Sequence, residues 1–121
     1  MATIKSFEDL DIWKDSMQIT FQIYALFKTC KDFGLRDQIQ RSAVSLPSNI
    51  AEGFERQTNK EFIQFLHIAR GSCGELRTQI YLAKGLNYIN EEEGKTLIEQ
   101  TQKLSAKITK LIAYRQSIGV R

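Results

Sequence analysis

One proline and seven glycines in 121 residues are too few for a chain of many short strands and tight turns. Their scarcity excludes a loop-rich β fold and favours long helices. No run of about 18 uncharged apolar residues occurs, so no segment reads as a membrane-spanning helix. The opening MATIKSFEDLDIW carries acids where a secretory signal has an apolar run, and a cytoplasmic location is the resulting expectation. The two cysteines, Cys30 and Cys73, fall inside helical patterns rather than at CxxC spacing, which points to reduced thiols rather than a disulfide or a zinc site. The single histidine, His67, stands between Leu66 and Ile68 with no acidic or cysteine ligand at metal spacing. With no glycine-rich phosphate loop and no evident nucleophile, neither a cofactor, a metal nor an enzymatic activity is expected.

What is present is ordinary for a single globular domain: 42% hydrophobic and 26% charged residues, without internal repeats or low-complexity segments. The apolar residues recur at spacings of three and four, so the expected class is all-α. Ser6 and Asp9 make a capping arrangement that starts helix one near Phe7 or Glu8. Leu10, Trp13, Met17, Thr20, Tyr24 and Phe27 form its first stripe, and Ile12, Ile19, Ile23 and Leu26 a second beside it. That width predicts a helix covered on two sides, by bundle neighbours and by another subunit. Lys28 and Lys31 precede Gly34, read as the permissive residue ending this helix. Helix two then spans about Leu35 to Phe54, with Ile39, Ala43, Leu46 and Ile50 inward. Pro47 interrupts it, and one bent helix is preferred over two because the apolar spacing continues to Ile50. Gly53 is read as a residue suited to its C-terminus.

Thr58 and Glu61 form a second capping box, opening helix three at Asn59. Its seam is Phe62, Phe65, Ala69, Cys73, Leu76, Ile80 and Ala83, ending near Leu86. Ala69, Gly71, Ser72 and Gly74 predict a close helix crossing at that level. Asn90 with Glu91, Glu92 and Glu93 starts helix four, which runs to about Ser117 with Leu97, Leu104, Ile108, Leu111 and Ile112 inward. Short connections force each helix to reverse, giving an antiparallel up-down-up-down four-helix bundle over residues 1–121 with a frayed tail from Ile118 to Arg121.

The stretch from Ser45 to Arg77 carries the most distinctive motifs: SLPSNIAEG, an arginine soon after, then KEFIQFLHIARGSCGEL. With FEDLDIW near the start, this pattern resembles the four-helix-bundle family encoded within intervening sequences of bacterial 23S ribosomal RNA, and it covers almost the whole chain. The similar accessory protein of diversity-generating retroelements belongs with that resemblance. It implies a ring-shaped homo-oligomer, commonly a pentamer, with a basic surface for RNA or a nucleic-acid enzyme; that no membrane partner is expected follows separately, from the lack of a long apolar run.

Charge is unevenly spread. Residues 1–94 hold 11 Lys and Arg against 13 Asp and Glu, a balance of −2, and residues 95–121 hold 6 against 1, a balance of +5. Lys103, Lys107 and Lys110 lie on one face of helix four, with Arg115 farther along. Such a stripe suits a phosphate backbone, and it equally suits a solvated face with lysines near the negative helix end. A second constellation is Asn49 with Glu52 and Ser72 with Glu75, each pair one helical turn apart. The resemblance implies that both pairs belong to the family's shared pattern. As an acid/base pair Glu52 and Glu75 lack a nucleophile, so the preferred reading is a structural polar network with Arg41, Arg56 or Arg70. Trp13 and Tyr24 could stack on bases but are read as packing residues. The leading function is therefore a non-enzymatic oligomeric bundle that binds structured RNA or a ribonucleoprotein through helix four. The alternative is a protein-protein interaction scaffold without nucleic-acid binding.

Overall fold

Four helices pack around one apolar core in the computed structural model, which describes residues 3–118. They are α1 (Asp11–Phe27), α2 (Phe33–Phe54), α3 (Asn59–Gly85) and α4 (Glu91–Ile118). The part of the expected frayed tail beyond Ile118 lies outside the described residues. Helices adjacent in sequence pack side by side, and α1 closes the bundle against α4. Two bonds show α2, α3 and α4 alternating in direction. At one end the Tyr88 hydroxyl, just past α3, donates to Asp32 at the start of α2 (2.9 Å). At the other, Asn59 at the start of α3 donates to the Arg115 carbonyl near the end of α4 (2.8 Å).

The chain enters differently from the expected single helix start. Phe7–Asp9 forms a short 3-10 turn, whose Asp9 carboxylate accepts from the N–H groups of Lys5 (2.9 Å) and Ser6 (3.3 Å). Leu10 is then extended, so α1 begins only at Asp11. The apolar stripes of α1 also exchange roles. Ile12, Ile19, Ile23 and Phe27 are buried with Ser16, while Trp13 and Leu26 are half-buried and Tyr24 is exposed. Trp13 nonetheless packs, tilted against Phe7 with ring centroids 5.4 Å apart.

Asp32, not Gly34, sets the first turn. Its side chain accepts from the Leu35 N–H (3.1 Å) and caps α2, placing Gly34 inside the helix with an ordinary φ. α2 continues unbroken through the buried Pro47. Pro47 deprives the Ala43 carbonyl of its usual N–H donor, and the Thr20 hydroxyl of α1 takes that place at 3.0 Å. The same hydroxyl lies 2.8 Å from the Ser16 carbonyl of its own helix.

Gly53 does not end α2. It lies within the helix, buried, and a Cβ there would stand 2.5 Å from Phe65 Cβ and 3.1 Å from Phe62 Cδ1. Gly71 and Gly74 have nothing within 4 Å of an added Cβ, so the close helix approach occurs at Gly53 rather than on the small-residue run of α3. α3 buries Leu66 beside Phe62, Ala69, Cys73, Leu76, Ile80 and Ala83, whereas Phe65 is half-buried at the seam edge.

Of the two remaining capping boxes, the one at Asn90 forms in full, and the one at Thr58 forms by half, its Glu61 carboxylate accepting from the Thr58 hydroxyl rather than from the Thr58 N–H. The Glu61 N–H donates to Thr58 Oγ1 (3.1 Å), and Asn90 and Glu93 exchange bonds of 2.7 and 3.0 Å between side chains and backbone. α3 ends in a Schellman arrangement with Asn87 as its left-handed residue (φ 65°): Tyr88 N–H bonds Ala83 O and Asn87 N–H bonds Lys84 O. The hydrogen bond to Asp32 holds the Tyr88 phenol above its ordinary value of 10.0. A raised folded-state value means that this contribution is present below the unfolded pKa and is lost as pH rises through the folded one. Tyr88→Phe is thus expected to remove a step from the stability profile above pH 10, read by denaturant unfolding in parallel at neutral and alkaline pH; identical profiles would detach Tyr88 from the end of the bundle.

Candidate functional site

Residues Lys103, Lys107 and Lys110 all project from the outer surface of α4, exposed as the helical spacing requires. They do not form an unbroken cationic stripe. The stripe runs along the seam with α1, whose first turns carry Asp11 and Asp15. Lys107 Nζ sits 2.7 Å from Asp15 Oδ2, and this hydrogen bond and charge pair holds the ammonium above its ordinary value. The raised ammonium contributes its share of the pair at neutral pH, and that share is lost as pH rises through the raised value. Lys103 and Lys107 line a hollow with Asp15, Gln18, Ile19 and Gln100. Lys107 and Lys110 border an open groove floored by Leu10, Ile12 and Leu111. Among the described residues, Lys103 and Lys110 have no ion-pair partner.

Arg115 is engaged differently. Its Nε donates to Asn59 Oδ1 (2.6 Å), its carbonyl accepts from Asn59 Nδ2, and its guanidinium lies 5.0 Å from the centre of the Phe62 ring. These contacts tie α4 to the first turn of α3 and draw Arg115 away from the lysines. A sequence cannot show this pairing, since Asn59 reads only as the first residue after a cap.

Asn49, Glu52, Ser72 and Glu75 separate into two places. Asn49 donates to the Ser45 carbonyl of its own helix (2.8 Å). Glu52 pairs with Arg56 at 2.7 Å. Arg56 also reaches Glu61 (3.7 Å) and lies 4.9 Å from the Phe65 ring centre, so it staples the connection between α2 and α3. Ser72 and Glu75 instead line a polar hollow of about 340 Å³ between α2 and α3, with Gln38, Arg41, Ser42, Ser45 and Gln79. No hydrogen bond among the described residues joins the two pairs. Arg70 contacts neither, donating to Thr109 Oγ1 (3.1 Å) and His67 Nδ1 (3.0 Å) on the α3–α4 side.

The hollow contains a residue that the sequence reading passed over. Gln79 is 7% exposed, yet its Oε1 is buried without a hydrogen-bond partner. Its position three residues after Leu76 and one before Ile80, on an otherwise apolar seam, is the signal that could have marked it. The buried Cys73 lies elsewhere, donating to the Thr101 carbonyl (3.2 Å) beside Arg77, and burial pushes its thiol up despite that cation. This removes it from thiolate chemistry at neutral pH. Among the described residues no three His, Cys, Asp or Glu side chains gather to hold a metal ion, and no helix is long and apolar enough to cross a membrane.

The fold agrees with a known architecture. A crystal structure of a protein of unknown function from the S23 ribosomal protein family of Bacteroides thetaiotaomicron VPI-5482 superposes with a TM-score of 0.78 at 24% identity, covering 84% of this chain and 97% of that one. No curated protein matches the chain. The family model described as "23S rRNA-intervening sequence protein" matches residues 8–110, which include both the SLPSNIAEG and the ARGSCGEL segments. The chain belongs to the family of 23S rRNA-intervening sequence proteins.

Proposed function

We propose that this protein is a non-enzymatic homo-oligomeric bundle, with a pentameric ring as the leading assembly, that binds structured RNA or a ribonucleoprotein through the α4 face around Lys103 and Lys110. The observation that supports this reading most is the pair of exposed ammonium groups that have no acidic partner among the described residues, on the segment where the sequence concentrates a balance of +5. Cations left unpaired by the protein are those that gain most from phosphate, because binding releases counterions without first breaking an ion pair. Self-association draws support from α1, whose outer surface leaves Phe21 68% and Tyr24 44% exposed. Light scattering is expected to give a mass well above the chain's 13.9 kDa; a monomeric mass at micromolar concentration would remove the oligomer.

The second reading, a protein-protein scaffold, is favoured by the Lys107–Asp15 pair, which satisfies the middle of the stripe within the chain. The salt dependence of binding separates the two. The double variant Lys103→Gln/Lys110→Gln is expected to flatten the slope of log affinity against log salt for a structured RNA by about 1.5 to 2 per subunit, whereas Lys107→Gln changes it by a smaller amount. Circular dichroism checks that helicity is equal. Slopes that coincide for wild type and the double variant would leave the scaffold as the function.

A further inference from the structure

We infer that the groove between the start of α1 and the end of α4 takes an unpaired nucleotide of the RNA, with the base against Tyr114 and the flanking phosphates on Lys14 and Lys110. This rests on the RNA-binding reading of α4 and adds which part of a structured RNA is held, a loop or bulge rather than a duplex. Tyr114 follows Lys103, Lys107 and Lys110 at spacings of four, three and four, so it continues their face of α4, and it is 58% exposed. It borders the groove together with Lys110 and, from α1, Lys14. The turn that carries it is anchored, because the next residue, Arg115, is bonded to Asn59 and lies over Phe62. The groove is sorted by chemistry. Its floor is apolar, while the exposed Lys14 and Lys110 have no ion-pair partner among the described residues. Asp9 and Asp11 also line it, and Lys107 is held by Asp15. The two carboxylates oppose a phosphate beside them, which leaves the lysines as the place for an anion. Asp9 already accepts from the N–H groups of Lys5 and Ser6, and Asp11 offers an acceptor to a base N–H. A simple phosphate would leave the apolar floor and Tyr114 uncovered, and an uncharged apolar ligand would leave the lysines unanswered. A nucleotide joins a flat face that stacks on an aromatic to an anion on the same small frame. A duplex keeps its bases inside and offers Tyr114 nothing to stack on, whereas loops and bulges splay theirs out. The groove measures about 630 Å³, within the range of pockets that hold small molecules. Its several charged groups also set it apart from the face of Phe21 and Tyr24, which belongs to a run from Ser16 to Phe27 without a charged residue and is better suited to a subunit contact.

The test uses the full chain and two RNA hairpins of equal charge, one with a loop of adenosines and one with the same loop abasic, with affinity read by fluorescence anisotropy over a range of salt. The adenosine-loop hairpin is expected to bind about tenfold tighter. Tyr114→Leu, an exposed change that leaves the core intact, is expected to remove that preference without altering the slope of log affinity against log salt, and Tyr114→Phe is expected to keep it. The Lys103→Gln/Lys110→Gln variant instead flattens the slope for both hairpins. Equal affinity of the wild type for the two hairpins, a preference that survives Tyr114→Leu, or Tyr114→Phe behaving as Tyr114→Leu would each overturn the inference and leave the lysine face standing. If neither hairpin binds with a salt-dependent affinity, the RNA reading itself fails and the nucleotide site with it. A lower mass for Tyr114→Leu in light scattering would make the groove a contact between copies of this chain, which also overturns the inference.

Discussion

Gly53→Ala is expected to destabilise the bundle by about 3 kcal/mol, the opposite sign from the usual gain of about 1 kcal/mol when alanine replaces glycine inside a helix. The new Cβ would stand 2.5 Å from Phe65 Cβ, and that atom is fixed to the α3 backbone, so no rotamer change can move it aside. The helices themselves must separate, which loosens the Phe54–Phe62 edge contact (centroids 5.7 Å apart) and the seat of Arg56 on Phe65. Gly71→Ala and Gly74→Ala supply the control. Nothing lies within 4 Å of either added carbon, so each is expected to stabilise by about 0.5 to 1 kcal/mol. Denaturant midpoints for the three variants check the sign. A stabilised Gly53→Ala protein would mean that α2 and α3 do not meet at this distance.

These glycines also show what a single sequence conveys. Periodicity and capping were legible because they are local: Thr58 with Glu61, Asn90 with Glu93 and the seam from Leu97 to Ile112 all stand where spacing puts them. Which glycine marks a close approach was not legible, because that depends on the partner helix. Gly71 and Gly74 look like a crossing and face open space, while Gly53 looks like a terminus and is the crossing. Similarly, the two stripes of α1 are almost equally apolar, and only the placement of α2 and α4 selects Ile19 and Ile23 over Tyr24. At the candidate sites, the exposure of the lysines followed from helix geometry. The capture of Lys107 by Asp15 did not, since those residues are brought together only when the first and last helices close the bundle. Gln79 was hidden by the same averaging that reveals helices, as one polar residue barely alters an apolar seam.

The second large effect lies where Pro47 leaves Ala43 without its intrahelical donor. Thr20→Val keeps nearly the same shape but removes the hydroxyl that stands 3.0 Å from the Ala43 carbonyl, and it is expected to cost about 1 to 3 kcal/mol because a carbonyl at a packed helix interface loses its donor. The bond of Thr20 to Ser16 is lost too, but Ser16 O belongs to an uninterrupted helix and keeps its intrahelical N–H. Pro47→Ala restores an N–H to Ala43 O and removes the ring that crowds it. Against this stand the lost packing of a buried ring and the greater freedom of the unfolded chain, which costs about 0.4 to 1 kcal/mol. The sign of the single proline change is therefore less informative than its coupling to Thr20. In the Pro47→Ala background, Thr20→Val is expected to cost at least about 1 kcal/mol less than in the wild type, a coupling outside the roughly 0.3 to 0.5 kcal/mol within which independent sites add. Urea unfolding of the four proteins in the cycle measures it. Additive effects would show that Thr20 does not serve the carbonyl freed by Pro47, and the continuity of α2 through its only proline would then rest on packing alone.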